Sequence, residues 1–439
     1  MTLTSLPAAI CVLCVAAAPV AAQQKLAEGG RVLRLGALHE AAHDADPRLG
    51  ALQLQAAQTE LRLRNIESDR LPSVGVDATA QYQSDVARPP ALVPGGEPLF
   101  SARKDTLDAS LRIEQRLFDP TIQPRLAAER AQLAEAQARV RAALFGLRQE
   151  VNEAFFTATL LQERSGTLAA TIADLETRLR EVTARVREGT ALESDAAAVE
   201  ATLLERRQDE GEIRAGRRAA LARLSRLTGG PIADTDVLEI PQLAAYVAQA
   251  RPAAGEARGR PELEQFARTR ERLARQQEVV RAQERPRVSA FGRVGYGRPG
   301  LNFISNEFDT YGLAGVHVQW KAWTWSAPNR ERAALALQQQ IVAADESAFA
   351  RTIGRATEVD LAVIDRLDNT LALDERIIAL REQIDRSTQL RFREGVVTAA
   401  EYLDRSTELL DARFARAGHR VELAQASARF LTTLGLEVR

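Results

Sequence analysis

The fold is decided by the segment RVREGTALESD at residues 185–195, which returns in altered form as RFREGVVTAAE at residues 391–401. In both copies a long proline-free segment runs into the glycine, and an acidic residue follows six positions after it. Glycine readily adopts the left-handed conformation that ends a helix. The sequence therefore predicts two helical hairpins, with their turns at Gly189 and Gly395.

The segment before Gly189 has the pattern of a coiled-coil helix. One seven-residue series is apolar at every position from Leu126 to Val182. A second series, offset by four, runs from Leu144 to Val186 and is apolar except at Ser165. Two such series form the a/d seam of a coiled coil. The proline-free run at 125–187 contains 63 residues and would span roughly 95 Å as a helix. No compact globular domain needs a helix of that length.

Composition and the N-terminal segment limit the class of protein. The formal net charge is −1, with 58 basic and 59 acidic residues, which argues against nucleic-acid binding. Residues 1–22 are interpreted as a secretory signal peptide, because a short apolar run ends in small residues before Gln23. Both cysteines, Cys11 and Cys14, lie in this segment without a convincing lipidation motif. We therefore expect an exported, cysteine-free mature chain.

Between the helices the apolar period changes to two. Apolar and polar residues alternate over four segments, at about 73–83, 107–117, 287–297 and 311–321. Strands of about ten residues with one apolar and one polar face are typical of membrane β-barrels. A soluble four-stranded sheet is the alternative on patterning alone. Four strands cannot close a barrel, so the membrane interpretation requires several copies of the chain.

The chain is internally duplicated. Asp46-Pro47-Arg48-Leu49 is echoed by Arg260-Pro261-Glu262-Leu263 at an offset of 214, and the two hairpin tips are 206 residues apart. We accordingly divide the mature chain into three parts. These are a first repeat at 23–228, an irregular linker rich in proline at 229–259, and a second repeat at 260–439.

The chain resembles the TolC family of outer-membrane efflux and secretion channels. The resemblance is carried by the entry LRLGAL at 33–38 leading to Asp46-Pro47, the strand start LPS at 71–73, IEQRLFD at 113–119, and the two tips. It implies a mixed α and β membrane protein that forms a homotrimer. Each copy would give four strands to a twelve-stranded outer-membrane β-barrel and a helical hairpin pair to a long periplasmic α-barrel. It implies neither a cofactor nor enzymatic activity.

The function that this resemblance implies is passive conduction across the periplasm and outer membrane, in tripartite efflux or type I secretion. Expected partners are outer-membrane lipid, a periplasmic adaptor (membrane fusion) protein and an inner-membrane pump of the RND, ABC or MFS type. A soluble periplasmic coiled-coil scaffold or adaptor is the alternative. Membrane and soluble fractions would distinguish the two.

Two groups of candidate site residues lie at the tips. The resemblance assigns Arg185, Gly189, Arg391 and Gly395 to adaptor docking, and it favours an acidic ring of Asp195, Glu401 and Asp404 at the periplasmic entrance. Glu401 and Asp404 share a helix face, and carboxylates around a threefold axis would favour cations. An ordinary acidic first turn, favoured by the helix dipole, is the alternative. The second tip departs from the family because Phe392 and Val397 are not polar.

A separate motif, His39-Glu40-Ala-Ala-His43, matches the H-E-x-x-H pattern of zinc proteases. It lies near the mature N-terminus, its helix is expected to stop at Pro47, and no further histidine follows at the usual spacing. We expect a chance match on a partly buried helix. A zinc hydrolase is the remaining alternative.

Overall fold

The computed structural model describes residues 30–86, 103–255, 259–302 and 306–438. The predicted signal peptide at 1–22 lies outside the described residues. The elements, in chain order, are β1 Val32–Leu33, α1 Leu35–Ala45, α2 Arg48–Ser68, β2 Ser73–Tyr82, β3 Asp105–Phe118, α3 Ile122–Arg187, α4 Glu193–Thr228, β4 Val237–Leu238, α5 Ala244–Ala250, α6 Pro261–Gln283, β5 Arg287–Arg298, β6 Asp309–Gln319, α7 Ala327–Arg393 and α8 Ala399–Leu434.

Two very long helices dominate the molecule. Helices α3 and α7 contain 66 and 67 residues, which corresponds to about 100 Å each. Each is followed by a 36-residue helix that packs back along it, so both predicted hairpins are present. Within the described residues, no helix is long and apolar enough to cross a membrane.

The helices pack side by side in a fixed order. Toward the tips, α3 contacts α4 and α8, and α8 contacts α7. Toward the sheet, α3 contacts α2 and α6, and α6 contacts α7. Helix α7 therefore lies at one end of both series, and α2 and α4 lie at the other end.

The largest buried cluster lies where α1, α3, α4, α5 and α8 meet. Phe155 and Phe156 are fully buried there and contact each other edge to face, with ring centroids 5.2 Å apart. The two-residue strands β1 and β4 pair in parallel beside this cluster. The segment at 229–259 is therefore less irregular than expected, because it contributes β4 and α5 to the core.

Strands β2, β3, β5 and β6 form one antiparallel sheet in that order. Its register aligns apolar residues across β2, β3 and β5, as in the row of Val76, Leu111 and Val294, which ends at Gly312 on β6. These side chains form a continuous apolar face that is exposed at the surface of the chain. Val76, for example, is 79% exposed. Strand β3 is longer than predicted, and β6 ends at Gln319 rather than at 321.

The opposite face of the sheet carries a polar network around Arg293. Its Nε donates to Ser110 Oγ at 2.8 Å and its Nη2 contacts Asp108, which also accepts from the Tyr311 hydroxyl at 2.5 Å. Phe291 interrupts this polar face because its ring covers Gly315, where an added Cβ would lie 2.8 Å from the ring. The glycines of β5 and β6 thus make room for cross-strand aromatic rings.

Candidate functional site at the hairpin tips

Both tips use the same backbone turn. Gly189 and Gly395 have φ of 73°, and the N–H of the next residue donates to the carbonyl of Arg185 or Arg391 at 2.8 Å. This bond, from the residue after the glycine back into the last helical turn, is the Schellman motif. The repeated Arg-x-Arg-Glu-Gly segment therefore encodes a helix end, and the glycine is required by its left-handed φ.

Two of the predicted tip residues connect the hairpins to each other. Arg185 Nη1 donates to the Phe392 carbonyl oxygen at 3.2 Å, and the Ala399 N–H donates to Asp195 Oδ1 at 3.4 Å. Asp195 Oδ2 also accepts from the Leu192 N–H at 3.4 Å. Both side chains therefore form hydrogen bonds within the chain, in addition to any contact with a partner.

Arg391 is placed differently. Its side chain is exposed, and no hydrogen bond or ion pair within the described part of the chain engages its guanidinium. Arg185 and Arg391 are equivalent in sequence but not in environment. Of the two predicted docking arginines, Arg391 is the one available to another molecule.

The nonpolar residues of the second tip belong to a buried cluster, here called the tip core. It contains Leu168, Ile172, Leu175, Val182, Val199, Leu203, Phe392, Val397, Ala399, Tyr402, Leu403 and Leu410. Phe392 stacks on Tyr402 with centroids 5.3 Å apart and planes 4° apart. Phe392 and Val397 thus hold the two hairpins together by apolar packing.

A buried polar contact lies beside the tip core and was not predicted from the sequence. Tyr402 is 1% exposed, and its hydroxyl donates to Asp174 Oδ2 at 2.9 Å. Arg178 lies next to this pair and donates to Glu181 at 2.8 Å. Burial, followed by the charge of Asp174, raises the pKa of Tyr402, so the hydroxyl keeps the proton that it donates.

Asp385 on α7 adds a second carboxylate to this region. Its Oδ1 is buried without a hydrogen-bond partner in the described residues. Burial and then the charge of Asp174 raise the pKa of Asp385, whereas Arg413 and Arg178 oppose the shift. The sequence offered no signal for this cluster, because Tyr402 and Asp174 are 228 positions apart.

The acids of the predicted ring divide into two kinds. Glu401 and Asp404 are exposed on the first turns of α8, whereas Asp195 is half-buried and bonded to backbone N–H groups. Arg405 follows directly, but its Nη1 donates to Glu408 at 3.0 Å. Of the predicted ring, Glu401 and Asp404 are therefore the exposed acids at the second tip, where Glu394 beside the turn is exposed as well.

The H-E-x-x-H motif lies far from the tips, on α1. His39 is 7% exposed, and its Nε2–H donates to Asn152 Oδ1 at 2.8 Å in the core, whereas His43 is exposed beside Asp44. Within residues 30–86, 103–255, 259–302 and 306–438, no three His, Cys, Asp or Glu side chains lie close enough to hold a metal ion. His39 is thus part of the packing between α1 and α3.

An antiparallel sheet with two open edges above paired helical hairpins is also the fold of solved outer-membrane channel subunits. The profile of the outer membrane efflux protein family matches residues 38–230. Over these residues the chain is similar to this TolC-like family of outer-membrane channels.

Solved outer-membrane channels share the fold. The chain is 18% identical to OprN over 91% of its length and 89% of that chain, with a TM-score of 0.68. For VceC from Vibrio cholerae, the identity is 17% over 92% of this chain and 97% of that chain, and the TM-score is 0.67. For MtrE from Neisseria gonorrhoeae, in its open state, the identity is 18% over 92% of this chain and 90% of that chain, and the TM-score is 0.65. No curated protein sequence matches the chain.

Replacing Tyr402 with Phe tests the contact between the hairpins. The ring can still stack on Phe392, but the bond to Asp174 is lost, so we expect a loss of about 1–2 kcal/mol in the free energy of unfolding. The measurement is the midpoint of thermal loss of helical circular dichroism in detergent. Tyr246→Phe, at an exposed tyrosine of α5, is the matched control and should leave the midpoint unchanged. Equal effects of both changes would contradict the assignment.

The His39 environment predicts a pH-dependent stability. Burial, with a smaller effect of Arg148, lowers the pKa of His39 to about 4, against about 6.5 in an unfolded chain. The unfolded chain binds the extra proton first as pH falls below 6.5, so stability decreases through this window, by about 3 kcal/mol at pH 4. Stability is full above pH 6.5.

The His39 prediction is checked with denaturant unfolding curves between pH 7 and 4. The free energy of unfolding should depend less on pH in His39→Gln than in the unaltered protein. The exposed His43→Gln should retain the full pH dependence. A slope that is the same in all three proteins would show that His39 is not the responsible group.

Proposed function

We propose that this chain is the outer-membrane channel of a tripartite efflux or type I secretion system, formed by three copies and conducting substrates passively. The observation that carries the proposal is that the sheet and the helices end at the same two unpartnered edges. A molecule with two complementary open edges is suited to closing into a ring with copies of itself.

The sheet supplies the first part of each edge. In the described part of the chain, β2 and β6 each have a strand on one side only. Unpaired backbone groups in hydrocarbon cost several kcal/mol each, so an open edge is not viable in lipid. Pairing β6 of one copy with β2 of the next satisfies both edges. Three copies would give twelve strands, an even number within the range of outer-membrane barrels.

The helices supply the second part of each edge. Helix α7 carries exposed apolar residues at coiled-coil spacing in its lower half, at Leu373, Ile377, Leu380 and Ile384. At the opposite end of the series, α2 exposes Leu54 and Leu61 and α4 exposes Leu204. Pairing β6 with β2 brings these helices of neighbouring copies together, and the apolar seam is then covered.

The tips are proposed as the periplasmic entrance and the docking surface for the adaptor. Gly189 and Gly395 leave the turns open, since no atom lies within 3.4 Å of a Cβ added at either position. Arg391 offers a free guanidinium beside the second turn. The adaptor would link these tips to an inner-membrane pump of the RND, ABC or MFS type, which supplies the energy.

Glu401 and Asp404 are proposed to form the main part of the entrance ring, with Asp195 contributing charge from a fixed position. Two exposed acids in each copy give six carboxylates in a trimer. A ring of carboxylates at a narrow opening attracts cations and repels anions. The same residues favour the start of α8 through the helix dipole, so both roles are served by one turn.

The test is single-channel recording in a planar bilayer. The reconstituted protein should form pores that prefer cations, measured as the reversal potential in a salt gradient. The Glu401→Gln, Asp404→Asn double variant should retain pores and lose several-fold in cation preference. Asp195→Asn is the matched comparison and should change selectivity less, because its carboxylate is bonded to two backbone N–H groups.

If correctly folded protein forms no pores, the proposal that it is a channel is contradicted. Recovery of the folded protein without detergent would favour the soluble scaffold instead. If the double variant forms pores with unchanged selectivity, the proposal of an acidic ring is contradicted and the proposal of a channel is retained.

A further inference from the structure

The polar face of the four-stranded sheet carries its charges in two separate bands. In the half of the sheet remote from the helices, the charged residues on this face are acids, namely Asp77, Asp108 and Asp309. In the half that adjoins the helices they are arginines with one glutamate, namely Arg112, Arg116, Arg287, Arg293 and Glu114. Side chains on the interior face of a membrane barrel determine its selectivity. The arginine band is therefore a candidate for contact with cargo.

Two of these arginines face each other across neighbouring strands. Arg112 of β3 and Arg293 of β5 are direct partners in the register, so their Cβ atoms lie about 5 Å apart. Like charges in directly opposite positions destabilise a sheet. The pair therefore costs stability by itself, and an anion bound between the two guanidiniums would offset that cost.

The protein partners of both guanidiniums lie on the side remote from the helices. Arg112 Nη2 lies 3.3 Å from Asp77 Oδ2. Arg293 Nε donates to Ser110 Oγ at 2.8 Å, and its Nη2 contacts Asp108. A guanidinium has five N–H donors, and most of those of Arg112 and Arg293 have no partner in the described part of the chain. The two side chains are 52% and 31% exposed, so these donors are accessible to an anion.

Apolar side chains border this pair on an otherwise polar face. Leu313, the register partner of Arg293 on β6, is 46% exposed. Phe291 lies two residues before Arg293 on the same face, and Arg293 Cζ lies 5.5 Å from the ring centroid of Tyr311. Guanidiniums bind oxyanions through paired N–H bonds. Adjacent apolar surface favours an anion that also has an apolar part.

We propose that Arg112 and Arg293, here called the arginine clamp, bind the anionic group of organic anions that pass through the barrel, while Leu313 and Phe291 contact the apolar part of the same molecule. The inference rests on the proposed function, in which the polar face of the sheet lines the lumen, and it adds a class of cargo. Three copies of the chain would place three clamps around one lumen. Because the clamp is open to water, its binding is weak enough for release, as conduction requires.

Neighbouring acids limit the strength of the clamp. Asp77 and Asp108 balance its two positive charges, so the clamp acts through direct hydrogen bonds rather than through a long-range field. The Asp108 carboxylate is already engaged, because it accepts from the Tyr311 hydroxyl at 2.5 Å and contacts Arg293. Glu114 is exposed one row nearer the helices, and its carboxylate would repel a bound anion. Removing the charge of Glu114 should therefore strengthen binding.

The acids at the hairpin tips do not cancel this interaction. They are separated from the sheet by the length of α7, about 100 Å, whereas charges in water are screened over about 10 Å at 0.1 M salt. The tips would act on small ions at the entrance, and the clamp would act on larger anions inside the barrel.

Block of the single-channel current tests the clamp. Millimolar naphthalene-1,5-disulfonate or sulfate, which carries the same charge without an apolar body, is added to each side of a planar bilayer in turn. We expect transient block by the disulfonate at a severalfold lower concentration than by sulfate. Arg112→Gln should weaken block by both anions severalfold, and Leu313→Asn should remove the difference between them. Glu114→Gln should strengthen block, an effect that damage to the fold would not produce.

Arg116→Gln is the matched control. Arg116 carries the same charge on the same strand and face, but it pairs with Asp69 and Asp119 at 3.0 and 3.5 Å, so block should be unchanged. An equal loss of block in Arg112→Gln and Arg116→Gln would show an effect of overall charge and would overturn the clamp. Pores that neither anion blocks would refute the clamp alone. If correctly folded protein forms no pores, the channel is contradicted and the clamp with it.

Discussion

The backbone of the two edge strands imposes the constraint on which the rest of the structure depends. An apolar sheet face requires lipid, yet lipid offers no hydrogen bonds to the free edges of β2 and β6. In the proposed assembly, each copy presents one edge that another copy completes. The helices have a similar requirement in water, because the exposed apolar seam of α7 is stabilised when a partner covers it. Membrane and periplasmic parts thus favour the same assembly.

The tips follow a different principle, because there the contacts are made within one chain. Arg185 and Asp195 reach the backbone of the second tip, Tyr402 bonds to Asp174, and the tip core is shared by both hairpins. Separating the hairpins of one chain would break these bonds and expose the tip core to water. The exposed acids Glu401 and Asp404 and the free Arg391 are left to act toward ions or partners.

Periodic features of the sequence predicted most of the fold. Seven-residue apolar series and the glycines at 189 and 395 predicted the hairpins, and alternation predicted the four strands, because these signals are local. The contacts of the site were not accessible in this way. Tyr402 meets Asp174 only after both hairpins have packed, and the bonds from Asp195 to backbone N–H groups could not be predicted for an acid assigned to the entrance ring. His39 likewise matched a catalytic motif that burial against Asn152 turned into a packing contact.

The most direct measurement for the closed assembly is cross-linking across the edge strands. Cysteines are placed in β2 and β6, for example Ala78→Cys with Ala314→Cys and neighbouring positions to find the register. The predicted mature chain has no cysteine of its own, and a disulfide requires Cα atoms within about 7 Å. A ring of three predicts covalent species of one, two and three chains and none larger. Chains that never cross-link at any register, or a ladder that extends beyond three, would contradict it.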